Sequence, residues 1–269
     1  MRYDFALLFT VLTALTGVIW LLDALLFAPA RKRAIAAGEE RTEPVLVEYS
    51  RSLFPVILII LLVRSFLGEP YRIPSESMMP NLLIGDFILV NKYAYGLRLP
   101  VLDTKIVAVG EPKRGDVIVF HPPMAPEQVW IKRVIGLPGD VIDYHNYMMT
   151  INGKPVDSRE TGVYQGANSG ADMTGSHVVR ESLPGRPHTI LQWNVSPERQ
   201  RFEANGTWTV PQGYYFMMGD NRDNSEDSRF WPTYYLPEQN IVGKAVLVWM
   251  NFDWDAKKMD SSRIGTIIR

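Results

Sequence analysis

No cysteine occurs among the 269 residues, which excludes a disulfide framework, a thiolate nucleophile and cysteine-ligated zinc or iron–sulfur clusters. An excess of either charge is missing too: 28 basic residues face 29 acidic ones, a formal net charge of −1. With a pI near 6.4 the chain has no pull toward a polyanion, so nucleic acid is not expected as a partner. Histidine is scarce. Of the four, His121 precedes a Pro-Pro pair, His145 lies in a turn-like run, and His177 and His188 flank a polar stretch, so structural or surface roles are expected for them. There is no HExxH metal motif, no GxSxG elbow, and no lysine three positions after a serine, so the serine-hydrolase and metalloprotease signatures read most directly from sequence are absent.

Long apolar runs are present, and only at the front. Phe5 to Leu22 carries no charge, and apolar character resumes after Asp23 as far as Ala28. A helix over about residues 5–28 is long enough to cross a hydrocarbon core of ~30 Å. Asp23 lies close to Arg31, Lys32 and Arg33, where cations at the interface would tolerate it. A second span is expected over about 52–67, with Arg64 reaching toward the interface from its end. A cleaved secretory signal is the alternative for the first helix, but its apolar core exceeds the ~7–15 residues of such a signal and its positive flank is at the wrong end. Arg31, Lys32, Arg33, Arg41 and Arg51 fall between the two spans, whereas Arg2 alone precedes the first. That asymmetry predicts a cytoplasmic loop over about 29–51 and everything after about residue 70 on the opposite side of the membrane.

Beyond the spans the texture changes to short apolar runs separated by turn residues. DFILV at 86–90, DVIVF at 116–120, VWIKRVIG at 129–136, YYFMM at 214–218 and KAVLVWM at 244–250 read as strands, and none shows a long 3.6-residue period. Asn152-Gly153 predicts a hairpin over 147–156. The glycine-rich stretch Ser158 to Ser176 reads as a mobile surface loop, and the residues after Trp254 as a polar tail.

Two segments are unusual for plain scaffold: IPSESMMPNLLIGD at 73–86 and GDNRDNSEDSRFW at 219–231. Together with RGDVIVF at 114–120, IKRVIGLPGD at 131–140 and VGKAVLVWM at 242–250, they resemble the boxes of bacterial type I signal peptidases, membrane-anchored serine endopeptidases. The resemblance covers nearly the whole chain. It implies a nucleophile at Ser77, a general base at Lys132, an orienting hydroxyl at Ser225, and an oxyanion site made by the Ser75 hydroxyl with the Ser77 backbone N–H. Ser75 could instead cap a turn after Pro74. Chemically, a lysine is a base only when neutral, so burial in apolar surroundings would have to lower its reference pKa of ~10.4. Trp130, Ile131 and Val134 beside Lys132, and Met217 and Met218 before the second box, are the residue types for that.

Asp223 to Asp227 has the opening rhythm of a calcium loop, but Ser228 replaces the required glycine and Tyr234 the closing glutamate. Asp220, Arg222, Asp223, Asp227 and Arg229, with Arg133, are instead expected to pair and brace the loop that carries Ser225. Met78, Met79, Leu82, Leu83, Phe87 and Trp249 could rest on the bilayer or fill the core. The chain departs from the family pattern in two places: Pro232 to Tyr235 stands where glycine usually follows Trp231, and no cysteine pair tightens the insert.

The expected architecture is mainly β: a two-helix anchor over 1–70, a catalytic β core over 71–140 and 214–254, a β insert over 141–213 and a tail over 255–269. The resemblance implies signal-peptide cleavage from exported preproteins without metal, nucleotide or other cofactor. It implies residence in the inner (plasma) membrane, with two spans and the catalytic domain on the periplasmic side. A membrane-anchored binding protein with an inert dyad is the reading from another functional class.

Overall fold

The computed structural model of the chain describes residues 5–63, 68–98, 105–184, 186–193 and 205–269. Two compact units emerge, one of Met1–Gly68 with Gly96–Ala108, the other of Glu69–Tyr95 with Val109–Arg269.

In the first unit, α1 (Phe5–Leu22) runs through a single wide turn (Asp23–Phe27) into α2 (Ala28–Ala36), and α3 (Val45–Leu62) returns. Leu7–Ala36 and Val45–Leu62 are each long and apolar enough to cross a membrane. Trp20 meets Phe54 between α1 and α3 at 5.5 Å. The first helix continues past the expected boundary at 28 because Pro29 sits in the opening turn of α2, where a proline is tolerated, and alanine, arginine and lysine follow. The expected loop over 29–51 therefore shrinks to residues 37–44. Asp23 is buried and bonded by both Arg31 guanidinium nitrogens at 2.9 and 2.8 Å. Arg31 continues to Glu43 at 3.7 Å, and Glu43 to Arg51 at 3.0 Å. Arg64 and the rest of the expected second span to Leu67 lie outside the described residues. A small ribbon of β3 (Leu97–Arg98) and β4 (Lys105–Val107) completes this unit.

The second unit is almost entirely β. Its main sheet orders β1 (Gly68–Arg72), β2 (Asp86–Asn91), β16 (Ile241–Asp253), β5 (Val117–Phe120), β6 (Trp130–Gly136), β14 (Tyr214–Met218) and β15 (Leu236–Pro237). The five runs singled out as strands all lie in this sheet. Both faces of β5 are covered: Val117 and Val119 join Ile73, Met78, Leu82, Ile88 and Val248, while Ile118 and Phe120 join Met217, Trp231 and Ile241. That is why DVIVF reads as a continuous apolar run and not as an alternation.

Between β6 and β14 the chain builds two smaller sheets. One orders β13 (Gly206–Thr209), β7 (Val141–His145), β8 (Met148–Ile151) and β9 (Lys154–Pro155). Asn152 and Gly153 both take positive φ, +54° and +73°, as a two-residue hairpin turn between β8 and β9 requires. The other orders β10 (Asp157–Val163), β11 (His177–Leu183) and β12 (Arg186–Gln192).

Several expectations are corrected here. Ser158 to Ser176 is not a mobile loop: its first part is β10, paired with β11 from Asp157↔Ser182 to Val163↔His177, and its second part holds a 3-10 turn, Asn168–Met173. Strand β10 is solvent-exposed at every residue, so it lacks the apolar alternation that would have marked it. Nor do the residues after Trp254 form a loose tail. β17 (Lys258–Met259) and β18 (Thr266–Ile267) pair with β16, and Arg263 binds the carboxylate of Asp86 and the carbonyl of Asn81. Of the residues weighed as bilayer surface, Met78, Met79 and Leu82 are buried core, Leu83 and Phe87 are half-buried, and Trp249 is exposed with its ring against Phe87. At Pro232–Tyr235, Tyr234 takes the left-handed φ of +60° that favours glycine, and its ring lies 6.1 Å from that of Trp208.

Candidate active site

Ser77 sits in a tight turn between β1 and β2, its carbonyl accepting from the Asn221 backbone N–H at 3.0 Å. Lys132 lies in β6 opposite Ile118 of β5. The fold brings these residues together across 55 positions of sequence: Lys132 Nζ is 2.7 Å from Ser77 Oγ, and both side chains are buried. Among the described residues no carboxylate stands within ion-pairing distance of the amine. Burial pushes the Lys132 pKa down to about 8, overcoming the upward pull of Asp227, Asp220 and Glu226, with the Arg229 charge adding to the depression. The Trp130 ring stands 5.7 Å from Nζ, close enough to shield it. A neutral amine in that position accepts the serine proton, which is what a hydroxyl nucleophile needs.

The other expected site residues gather at this point, with one difference. Ser75 is exposed and its Oγ lies 3.3 Å from Ser77 Oγ. Ser225 is buried next to Gly219, where a Cβ would collide with Ser225 Oγ and with the Ser77 carbonyl 2.5 Å away; only glycine allows this approach. Ser225 Oγ, expected to bond the lysine amine, has no hydrogen-bond partner. The amine is already directed at Ser77.

Around Ser225 the charged residues Asp220, Arg222, Asp223, Asp227 and Arg229 are buried, whereas Glu226 is exposed, and the buried ones have specific partners. Arg133 grips Asp220 with two bonds of 2.7 Å and also donates to the carbonyls of Gly115 and Arg269. Arg229 grips Asp227 with bonds of 2.9 Å and caps the Arg222 carbonyl, while Asp227 accepts from the Gly219 N–H at 2.9 Å. Burial raises the Asp220 and Asp227 pKa values, but the paired arginines outweigh it and hold both below the ordinary carboxylate range. Asp223, expected to pair as well, makes no ion pair with an arginine among the described residues. It accepts from the Trp193 N–H at 2.7 Å and the Tyr147 hydroxyl at 3.1 Å, and burial leaves its carboxyl raised.

Arg222 reaches outside the box to Glu181 in β11, a partner the sequence reading missed. Burial raises Glu181, but Arg222 and His188 prevail and hold it at about 2. His188, buried as a structural residue, lies 3.3 Å from Glu181 and 3.9 Å from Asp220. Leu191 of β12 adds a parallel bridge to Asn221, so the insert lies directly against the 219–231 segment. Also missed were Asn81, whose amide donates to Asp220 at 2.7 Å, and Asn221 and Asn224, which bind Glu76. The Asn residues sit inside the two unusual boxes and could have been found there; Glu181 carries no local signal.

A serine hydroxyl against a buried lysine amine, with no carboxylate in ion-pairing distance among the described residues, on a β scaffold, is the arrangement that a serine hydrolase with a lysine base would need. Residues 46–250 match the family model described as signal peptidase, peptidase S26. The chain is similar to signal peptidase I of Pseudomonas aeruginosa, 44% identical over 293 aligned positions covering 99% of this chain and 100% of that one. It is also similar to signal peptidase I of Pseudomonas fluorescens, 43% identical over 99% of this chain and 100% of that one, and to that of Haemophilus influenzae, 34% identical over 94% and 88%. The chain belongs to the peptidase S26 signal peptidase family.

Proposed function

We propose that this membrane-anchored serine endopeptidase cleaves N-terminal signal peptides from exported preproteins, with Ser77 as nucleophile and Lys132 as general base. The observation that carries this reading is the 2.7 Å contact between a buried lysine amine and a serine hydroxyl. The neutral amine takes the Ser77 proton as Oγ attacks the carbonyl at the end of the signal peptide. The oxyanion receives the Ser77 N–H and the Ser75 hydroxyl, which is one residue from the turn and already faces Ser77. Collapse passes the proton from Lys132 to the departing amine, freeing the mature protein and leaving the signal peptide as an ester on Ser77. Water, deprotonated by the same amine, hydrolyses that ester. Ser225 steadies the amine once the serine proton has moved to it. Arg133, Asp220, Arg222, Asp227 and Arg229 hold the loop.

Both helices span the bilayer in this reading, with the basic residues Arg31, Lys32, Arg33, Arg41 and Arg51 on the cytoplasmic side and the β unit outside, at the periplasmic face. The domain division follows: anchor to about 70, catalytic core over 71–140 and 214–254, insert over 141–213. No nucleic acid enters the reaction. Detergent-solubilised protein offered a precursor with an Ala-x-Ala junction should cleave there, and Ser77→Ala and Lys132→Ala should each abolish cleavage while remaining folded. Activity surviving either change would overturn the dyad. No cleavage by the unchanged protein would favour a dedicated substrate or a binding role.

A further inference from the structure

Glu76, between the two serines of the first box, makes contacts that the reaction does not account for. Its Oε2 accepts from Asn224 Nδ2 at 2.7 Å, and its own carbonyl accepts from Asn221 Nδ2 at 3.2 Å. Asn221 also donates its backbone N–H to the Ser77 carbonyl at 3.0 Å, so the nucleophile turn is stitched to the 219–231 loop on both sides of the Glu76–Ser77 peptide. Asn224 precedes Ser225 directly. The same amides are steadied from behind by the buried Met173, whose sulfur lies 3.1 Å from Asn221 Nδ2, 3.9 Å from Asn224 Nδ2 and 3.3 Å from Trp193 Nε1. Of these links, the Glu76–Asn224 bond is the one between side chains that joins the nucleophile turn to the residue next to Ser225.

We propose that Glu76 is a positioning residue: its side chain latches the Ser77 turn to Asn224 and so sets the distance between Ser77 and the loop that carries Ser225. A 2.7 Å side-chain bond ties the turn closely to Asn224, and small displacements of a nucleophile are costly to rate, so a latch here acts on turnover more than on binding. The glutamate supplies only an acceptor oxygen in this role, not its charge. Glutamine therefore replaces it, and alanine does not.

The proposal rests on the Ser77–Lys132 reading above. Its test is precursor cleavage by the full-length protein in detergent, comparing Glu76→Ala, Glu76→Gln, Asn224→Ala and the Glu76→Ala/Asn224→Ala double change, with a thermal melt of each. Glu76→Ala is expected to lower kcat by about tenfold with KM within about twofold, and Glu76→Gln to recover most of that loss. The double change should cost no more than the worse single one, because both break one bond. Additive losses, a loss confined to KM, or a glutamine variant as impaired as the alanine one would overturn the latch. A cooperative melt near that of the unchanged protein keeps a loss of kcat from being a loss of fold. If the unchanged protein cleaves nothing, the functional reading fails; if it cleaves and Glu76→Ala cleaves equally well, the latch alone fails.

Discussion

Lys132 and Arg133 are neighbours on β6, both buried, and the pleat of the strand sends them to opposite faces of the sheet. On one face the lysine meets a serine hydroxyl and an indole ring, and its charge has no carboxylate to hold it. On the other the arginine meets Asp220 in a two-bond grip. Burial penalises both cations alike, yet the outcomes diverge. A lysine can shed its proton, so desolvation makes it a base, whereas a guanidinium cannot and must be paired. One strand thus carries a reactive group and a brace side by side, and each variant below either breaks that contrast or tightens it.

The largest effect is expected from erasing the difference at position 132. Lys132→Arg keeps the charge and most of the volume but removes the dissociable proton, so turnover should fall by about a thousandfold or more in precursor cleavage. Measurable activity near that of the unchanged protein would mean the base lies elsewhere. Lys132→Met, which loses the amine altogether, should be equally inactive without lowering the melting temperature at neutral pH. The sign follows from the pKa: the folded value, about 8, lies below the ordinary lysine value, so at pH 7 the folded state must charge a buried amine. Removing that amine removes a cost.

Breaking the other face should act on stability. Asp220→Ala strands the Arg133 charge in the interior and is expected to cost about 3–5 kcal/mol, read as a fall in the midpoint of chemical unfolding. Asp220→Asn keeps one acceptor oxygen for the Arg133 and Asn81 donors and should cost less than alanine. Equal midpoints for Asp220→Ala and the unchanged protein would show that the grip is not what holds the loop.

Two pH profiles separate the faces further. Cleavage should rise by about tenfold per unit as pH climbs toward about 8 and level above it, since only neutral Lys132 is competent. Stability should move in the opposite pH range. Glu181 is held at about 2 by burial opposed and outweighed by Arg222 and His188, so its contribution is present above the ordinary glutamate pKa and is lost as pH falls from about 4.5 toward 2. Glu181→Gln should flatten that acid limb in a melt series while leaving the activity limb near 8 in place. A shift of the activity limb by this change would couple the two faces and dissolve the contrast.

What could be seen in the sequence, and what could not, divides along similar lines. The runs of β5, β6 and β14 were legible because they are buried on both sides, those of β2 and β16 because their burial largely alternates, and the Asn152-Gly153 turn because only a few residue pairs accept two positive φ values. The motifs pointed to Ser77, Lys132 and Ser225, and the fold brings the first two together across 55 residues, although nothing local in the sequence states that they touch. Strand β10 was not, since solvent on every side chain leaves no periodicity. The ordered C-terminal residues were missed for a related reason: Arg263 is fixed by Asp86, a long-range ion pair that a polar composition conceals. Glu181 is the plainest case. Its place in the network depends on how the insert docks against residues 220–223, and that is a property of tertiary packing alone.

Ser225 gives the smallest expected effect and the sharpest test of the lysine face. Its hydroxyl is buried without a hydrogen-bond partner, and the Lys132 amine is committed to Ser77. A buried hydroxyl with no partner destabilises the fold, so Ser225→Ala should leave stability unchanged or raise it by about 1 kcal/mol. If the hydroxyl takes hold of Lys132 when the serine proton moves, the same change should lower kcat by about tenfold, roughly one hydrogen bond's worth, at unchanged stability. Rate then falls at this residue while stability does not. Were both to fall together, Ser225 would already be bonded in the free enzyme and would belong with Arg133 as a brace; were neither to move, Lys132 would need no support beyond the strand that presents it.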